Sequence, residues 1–347
     1  MKADPTLTLA WLVLLHLVAD FVFQTNAIVA AKTAHGRRAV RGFLGHAAGV
    51  TVCLIPLALA FGSSVLAALV LIVVSHVVID QGKIVATRRT EATALAESRR
   101  RHEGAAPAAG LGRAWTPLPA AWFVIDQLAH LAVLGIVWAL WLAGAAPVPG
   151  WAAAVAGATG GWDQGLVHEV VLVAVIVMAL LIANVRAGAI FVATLVRPLE
   201  VGEELVAGHG AAAKAGPNPS AAGPAGAEPP AGRGWSIRIG PLTGRVVADA
   251  LLPPTVTEED EVLGERVALP PPARVGATIG VLERLLIVTF VLVGADTAIG
   301  FVIAAKTIAR FRQLDDRDFA EYYLLGTLAS VSVAIVTGLV ARAALNA

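Results

Sequence analysis

Charged residues are scarce in this chain. Asp, Glu, Lys and Arg make up 15% of its 347 residues, whereas soluble domains average about 25%. Hydrophobic residues make up 57% of the chain. This balance excludes an ordinary soluble protein, and the formal net charge of +1 gives no reason to expect nucleic acid as a partner. The composition therefore indicates an integral membrane protein.

Cysteine is almost absent as well, because Cys53 is the single one in the sequence. An intrachain disulfide is thereby excluded, and the thiol, which lies in an apolar run, is most simply a small hydrophobic side chain. The sequence also lacks the alternating apolar and polar pattern of membrane β-barrels, because its apolar runs are long and continuous. Membrane-spanning helices are the remaining class.

Apolar runs of about 20 residues are long enough to cross the hydrocarbon region as helices. Candidate spans are residues 7–24, 43–61, 64–85, 120–142, 168–192, 275–293 and 319–341. A shorter apolar segment, 297–309, is predicted to be either re-entrant or interfacial. The sequence thus predicts an all-α polytopic bundle with seven or eight helical elements.

Lys and Arg are unevenly distributed between the loops. They are absent around Gly62 and in the loop 143–167. They are frequent between the first two spans and between the third and fourth, at Lys32, Arg37, Arg38, Arg41, Arg88, Arg89, Arg99, Arg100, Arg101 and Arg113. Because basic loops stay in the cytoplasm, we expect these two loops on the cytoplasmic side of a bacterial inner membrane. The N-terminus is then expected on the opposite side.

The spans fall into two groups separated by a polar segment. Residues 1–196 form a predicted N-terminal transmembrane bundle with a charged, partly helical cytoplasmic loop at 87–116, and residues 275–347 form predicted C-terminal transmembrane helices. The intervening segment 197–274 contains a run rich in Ala, Gly and Pro at 207–234. Such a composition does not bury a core, so 197–274 is predicted to be a cytoplasmic, largely disordered linker.

Ionisable residues interrupt the spans in a repeated pattern. "HLVAD" places His16 and Asp20 four residues apart, and "HVVID" does the same with His76 and Asp80. Residues at i and i+4 share one face of a helix, with Cβ atoms about 5–6 Å apart. A charge at the bilayer centre costs roughly 2.5 kcal/mol or more. These pairs therefore indicate a site rather than lipid-facing surface.

A third pair occurs in reversed order, with Asp126 before His130 in "DQLAH". The reversal fits the predicted topology, because the first and third spans run toward the cytoplasm and the fourth runs away from it. All three pairs then place Asp nearer the cytoplasm and His deeper in the membrane. His46, near the cytoplasmic start of the second span, joins the same zone. A structural set of buried hydrogen bonds between helices is the alternative interpretation.

Imidazole and carboxylate ligands without thiolate suit a divalent metal ion such as Zn, Mn or Fe. The predicted metal ligands are His16, Asp20, His46, His76, Asp80, Asp126 and His130. Polar residues near the site, or in the C-terminal spans, are candidates for supporting the ligands or contacting a lipid head group: Gln24, Lys83, Gln127, Glu283, Arg284 and Arg310. For Lys83 the alternative is a side chain that extends to the membrane surface. For Glu283 and Arg284 the alternative is a structural ion pair with a residue of another helix.

The motifs "HLVADFVFQT", "SHVVIDQGK" and "VIDQLAH" together resemble the bacterial membrane family catalogued as domain of unknown function 3307. "IGVLERLLI", "AIGFVIAAKTIARF" and "AEYYLLGTLAS" resemble the C-terminal part of its longer members. The resemblance implies a membrane protein and no particular activity. A class-level likeness to membrane-bound metal-dependent hydrolases rests on their intramembrane His and Asp.

Three functions remain open from the sequence. The first is a metal-dependent hydrolase acting on a lipid or lipid-linked phosphate at the cytoplasmic leaflet. The second is a transporter of protons or metal ions. The third is a non-catalytic membrane scaffold whose polar layer holds helices together. Membrane lipids are the expected partners in each case.

Overall fold

A computed structural model describes residues 4–102, 115–160, 162–197, 235–239, 242–246 and 272–346. Most of the predicted linker 197–274 and part of the predicted loop 87–116 lie outside the described residues. Two strands are described between the helical parts, β1 (Trp235–Ile239) and β2 (Leu242–Val246). They pair antiparallel, with Trp235 opposite Val246 and Ile239 opposite Leu242.

Helices make up nearly all of the other described residues. In chain order they are α1 (Pro5–Val18), α2 (Asn26–Lys32), α3 (Gly36–Phe61), α4 (Leu66–His102), α5 (Leu118–Val137), α6 (Pro149–Ala158), α7 (Gln164–Ile182), α8 (Gly188–Val196), α9 (Pro272–Val293), α10 (Thr297–Ala309) and α11 (Arg317–Leu345). Three π-helical turns extend or join them: Ala19–Phe23 after α1, Trp138–Leu142 after α5, and Ala183–Ala187 between α7 and α8. The predicted all-α fold is confirmed.

Six continuous helical stretches among the described residues are long and apolar enough to cross a membrane: Pro5–Phe23, Gly36–Glu97, Leu118–Leu142, Gln164–Val196, Gly276–Val293 and Phe319–Leu345. The second stretch is a hairpin of α3 and α4. His46 Nε2 lies 2.9 Å from His76 Nε2, although 30 residues of straight helix would span roughly 45 Å. The reversal occurs at Gly62, whose φ of 69° suits glycine. The six stretches thus contain seven crossing lengths, which match the seven predicted spans.

Two short helices were not expected from the sequence. Helix α2 occupies the basic segment between the first two spans and begins after Thr25, whose hydroxyl accepts from the Ile28 amide. Helix α6 begins at Pro149 in the segment without Lys or Arg. The sequence did not predict either helix, because spans were identified as long apolar runs and neither helix is long enough to cross the hydrocarbon region.

The helices bury two main apolar clusters. One joins α1, α3, α4 and α5 through side chains such as Leu12, Leu54 and Ile72. The other joins α7, α9 and α11 through Ile176, Ile287 and Ala334 among others. Smaller contacts between α1 and α7 link them, so the N-terminal and C-terminal spans form one helical unit. The polar site lies beside the first cluster.

Candidate metal centre

The predicted ligands converge at one place. Helix α1 and its π-helical turn carry His16 and Asp20, and three further helices supply the others: His46 from α3, His76 and Asp80 from α4, and Asp126 and His130 from α5. Each of the seven residues is at most 6% exposed. The i,i+4 spacing accounts for this convergence, because it aims both members of each pair at the same side of their helix.

The four imidazoles form a contiguous layer. Ring centres of His76 and His130 lie 4.2 Å apart, and those of His16 and His130 lie 4.9 Å apart. His46 joins the layer through its contact with His76. A small cavity of about 20 Å³ adjoins this layer, and apart from the imidazoles and Ser75 it is lined by apolar side chains.

Asp20 is the carboxylate most closely surrounded by imidazole. Its Oδ1 lies 3.0 Å from His76 Nε2 and 3.4 Å from His46 Nε2. Its Oδ2 lies 3.9 Å from His16 Nε2. Although Oδ1 is buried and close to two ring nitrogens, it makes no hydrogen bond of acceptable geometry within the described part of the chain.

Two lysines neutralise the other carboxylates. The Lys32 ammonium donates to Asp80 Oδ2 and is itself 5% exposed. Lys83 Nζ lies 2.8 Å from Asp126 Oδ2 and 3.6 Å from Asp80 Oδ1. The sequence placed Lys32 in a basic loop and not at the site. Nothing in the spacing of the surrounding residues indicates that short helix α2 directs this side chain toward the His/Asp cluster.

The Lys83 side chain is directed toward the cluster rather than extending only to the membrane surface. It remains 25% exposed, whereas the side chains of Asp80 and Asp126 are 2% and 1% exposed. Lys83 is therefore the partly exposed member of its contacts with these two carboxylates.

Both predicted glutamines lie at the cluster. Gln127 Nε2 donates to Asp126 Oδ2 at 3.1 Å and to Asp20 Oδ2 at 3.4 Å, while its Oε1 lies 3.4 Å from His16 Nε2. Gln24 Oε1 accepts from Lys32 Nζ at 2.6 Å. Gln127 thus links two of the carboxylates to the imidazole layer.

The three predicted supporting residues of the C-terminal spans have their described contacts elsewhere. Glu283 Oε2 accepts from Lys306 Nζ at 2.6 Å, in agreement with the structural pairing considered from the sequence. Arg284 donates to the Asn184 carbonyl and to Ser330. Arg310 Nη1 donates to Gln313 Oε1 at 2.8 Å. A head-group contact by Arg310 stays a prediction.

The donor atoms have spacings that suit a metal ion. Three overlapping groups, each with donor atoms within 4.8 Å of one another, are His16/Asp20/His76, His46/His76/Asp80 and Asp80/Asp126/His130. Around tetrahedral zinc with bonds of 2.0–2.1 Å, neighbouring donors lie about 3.3 Å apart. His46 Nε2 lies 3.4 Å from Asp20 Oδ1 and 3.3 Å from Asp80 Oδ2. The buried residues could therefore hold a metal without large rearrangement.

The sequence was compared with protein families, curated proteins and solved structures. Residues 8–148 match the family described as "Protein of unknown function (DUF3307)". The resemblance predicted from the motifs is confirmed over this DUF3307 region, which contains all seven His and Asp side chains. Helices α6 to α11 lie beyond it. No curated protein and no solved structure matches the chain.

Proposed function

We propose that the His/Asp cluster binds a divalent metal ion. The observation that carries the proposal is the triangle formed by His46 Nε2, His76 Nε2 and Asp20 Oδ1, with sides of 2.9, 3.0 and 3.4 Å. These lengths are close to the edges of a tetrahedral zinc site. Among the described contacts, Asp20 forms no ion pair with a lysine, so its negative charge is available to a metal ion. His16, Asp80, Asp126 and His130 surround this triangle and would act as further ligands or as the general base.

The charge of the site favours an anionic substrate. With neutral imidazoles, three carboxylates and two ammonium groups leave one net negative charge. A divalent ion would reverse that sign. Lys83 adds a partly exposed ammonium beside Asp126. A phosphate-bearing lipid or lipid-linked head group fits a positive site within apolar helices.

We infer hydrolysis of such a substrate at the cytoplasmic leaflet as the activity. A bound divalent ion would supply an activated water and polarise a phosphoryl or carbonyl oxygen. Lys83 would hold the anionic head group while Asp126 anchors its ammonium. Gln127, through its contact with His16, would orient that ring, as partners of metal ligands generally do. His16 or His130 would accept the proton that the attacking water loses.

The experiment that tests the metal is elemental analysis of detergent-purified protein after dialysis against zinc and then against metal-free buffer. We expect about one equivalent of zinc in the wild type and at most about a tenth of that in Asp20→Asn, because one of the metal's ligands is lost. The matched control is Asp163→Asn, because Asp163 is an exposed N-cap whose side chain accepts from the Leu166 amide, a role that Asn retains. Equal zinc content in wild type and Asp20→Asn would refute the site.

A non-catalytic scaffold is the second candidate, and two ion pairs between helices favour it. Lys32–Asp80 joins α2 to α4, and Lys83–Asp126 joins α4 to α5. If the scaffold is the function, the wild type should hold no metal, yet Asp80→Ala should still lower its thermal stability. The transport hypothesis gains less support, because the cavity beyond the imidazoles is mainly apolar.

A further inference from the structure

Asp20 lies in the π-helical turn that ends the first span. The Gln24 amide donates to the Ala19 carbonyl, five residues back, at 3.1 Å. Carbonyls in the last turn of a helix lack helical partners. One of them, that of Phe21, accepts from Arg186 Nε at 3.2 Å. A guanidinium here also complements the negative end of the helix dipole. The backbone next to Asp20 is therefore held by an arginine from another helix.

Arg186 is itself part of a second π-helical turn, Ala183–Ala187. There the Gly188 amide donates to the Ala183 carbonyl, five residues back. In an ordinary α-helix the Gly188 amide would donate to the Asn184 carbonyl. Because it donates to Ala183 instead, the Asn184 carbonyl has no helical donor where the α-helical pattern resumes. Arg284 Nε donates to that carbonyl at 2.7 Å. The second turn is thus fixed in the same way as the first.

The approach of Arg284 depends on its surroundings. Arg284 is 3% exposed, and its Nη1 donates to Ser330 Oγ in α11 at 3.0 Å. A Cβ at Gly188 would lie 3.2 Å from Arg284 Nε, so glycine leaves room for the guanidinium. Asn184 Nδ2 also donates to Thr337 Oγ1 at 3.0 Å. Helices α9 and α11 therefore hold the turn that carries Arg186.

We propose that Arg186 and Arg284 are positioning residues for Asp20. Through them the C-terminal helices, which lie outside the DUF3307 region, would set the metal affinity of the N-terminal cluster. A metal site tolerates little displacement of its ligands, and loss of a partner that orients a ligand typically costs 10–100-fold in metal affinity. The zinc-affinity measurement rests on the proposed function. The contacts of Arg186 and Arg284 with backbone carbonyls, which carry the inference, are independent of it.

The test compares Arg186→Met with Arg186→Lys and with Arg342→Met. Arg342 is the matched control, because its Nη1 donates to the Val291 carbonyl at 3.4 Å, near the end of another helix. Zinc affinity is measured by competition with a chromophoric chelator. We expect Arg186→Met to bind zinc about tenfold more weakly, Arg186→Lys to recover part of the loss, and Arg342→Met to match the wild type. Equal affinities for Arg186→Met and Arg342→Met would overturn the proposal.

Arg284→Met supplies the second arm. If both arginines act along one chain of contacts, the double variant Arg186→Met/Arg284→Met should bind zinc with the same affinity as the single variant that has the lower zinc affinity. Additive losses would show two independent effects and contradict the chain.

Hydrogen exchange separates this inference from the metal hypothesis. Amides of residues 19–24 should exchange at least tenfold faster in Arg186→Met than in the wild type or in Arg342→Met, with no metal added. If the wild type binds no zinc, the proposed function fails, and the exchange rates alone decide the positioning. Unchanged exchange at 19–24 would overturn it.

Discussion

Among the ion pairs that Lys or Arg makes in the described parts of the chain, Lys32–Asp80 is the most deeply buried, with side chains 5% and 2% exposed. Two charges are costly to remove from water, and their attraction compensates only when the remaining polar atoms are also satisfied. Here Gln24 accepts a second bond from Lys32, and His46 Nε2 lies 3.3 Å from Asp80 Oδ2. The pair therefore meets the condition under which a buried ion pair persists.

Removing only the cation should be damaging. We expect Lys32→Met to lower the free energy of unfolding by about 3 kcal/mol, because Asp80 would keep its charge in a buried place with weaker compensation. Lys32→Met/Asp80→Asn should recover most of that loss. Both are measured by thermal unfolding in detergent. The reference is Arg317→Met, since the Arg317–Glu321 pair is 88% and 67% exposed and such pairs contribute little. Equal losses for the two single variants would contradict the role given to Lys32.

What the sequence predicts at the residue scale is limited by helix periodicity. Asp126 and His130 were predictable, because one i,i+4 interval on one helix aims both inward. Lys32 was not, because its position depends on where α2 packs. Lys83 has the right helix face but two possible directions for its long side chain, and only the position of Asp126 on α5 decides between them.

Helix α2 places Lys32 through a close backbone approach to α3. A Cβ at Gly42 would lie 2.7 Å from the Ala31 carbonyl carbon and closer still to the Lys32 amide nitrogen. Backbone atoms do not yield as the end of a flexible side chain does. Gly42 therefore allows α2 to lie against α3 and to present its last residue to the cluster.

Gly42→Ala should consequently displace α2. We expect a loss of about 1–3 kcal/mol in the free energy of unfolding, as for other overpacked sites, together with weaker zinc binding. Gly45→Ala is the matched control in the same helix, because its Cβ would meet nothing within 4 Å. That variant should be neutral or gain up to about 1 kcal/mol from helix propensity. Thermal unfolding of both variants checks the difference, and equal stability would show that α2 is not packed in this way.

Elements differ in how far the sequence determines them. The seven crossing lengths were predicted because each needs only a long apolar run. The π-helical turns were not, because they depend on distant partners such as Arg186 for the Phe21 carbonyl. Such turns are frequent at functional sites. The site is thus predictable in composition, and its exact geometry depends on contacts between elements.

At the scale of the whole molecule, the distribution of Lys and Arg predicts one orientation. Basic residues lie at those ends of the spans that are nearest the Asp side chains. They include Lys32 in α2 and Arg88 in α4, and Arg88 donates a hydrogen bond to the Thr33 carbonyl at the end of α2. The segment around α6 carries none. From the positive-inside rule we predict that the cluster faces the cytoplasmic leaflet.

Accessibility of single cysteines tests this orientation directly. In a Cys53→Ala background, Arg38→Cys should react with a membrane-impermeant maleimide only after the membrane is opened, whereas Gly150→Cys should react in intact spheroplasts. Both positions are exposed on the protein, so a difference in labelling reports the side of the membrane rather than burial. The background residue Cys53 is buried, and its replacement removes competing thiol chemistry. The reverse labelling pattern would place the cluster in the outer half of the membrane, where the substrate could no longer be a head group of the cytoplasmic leaflet.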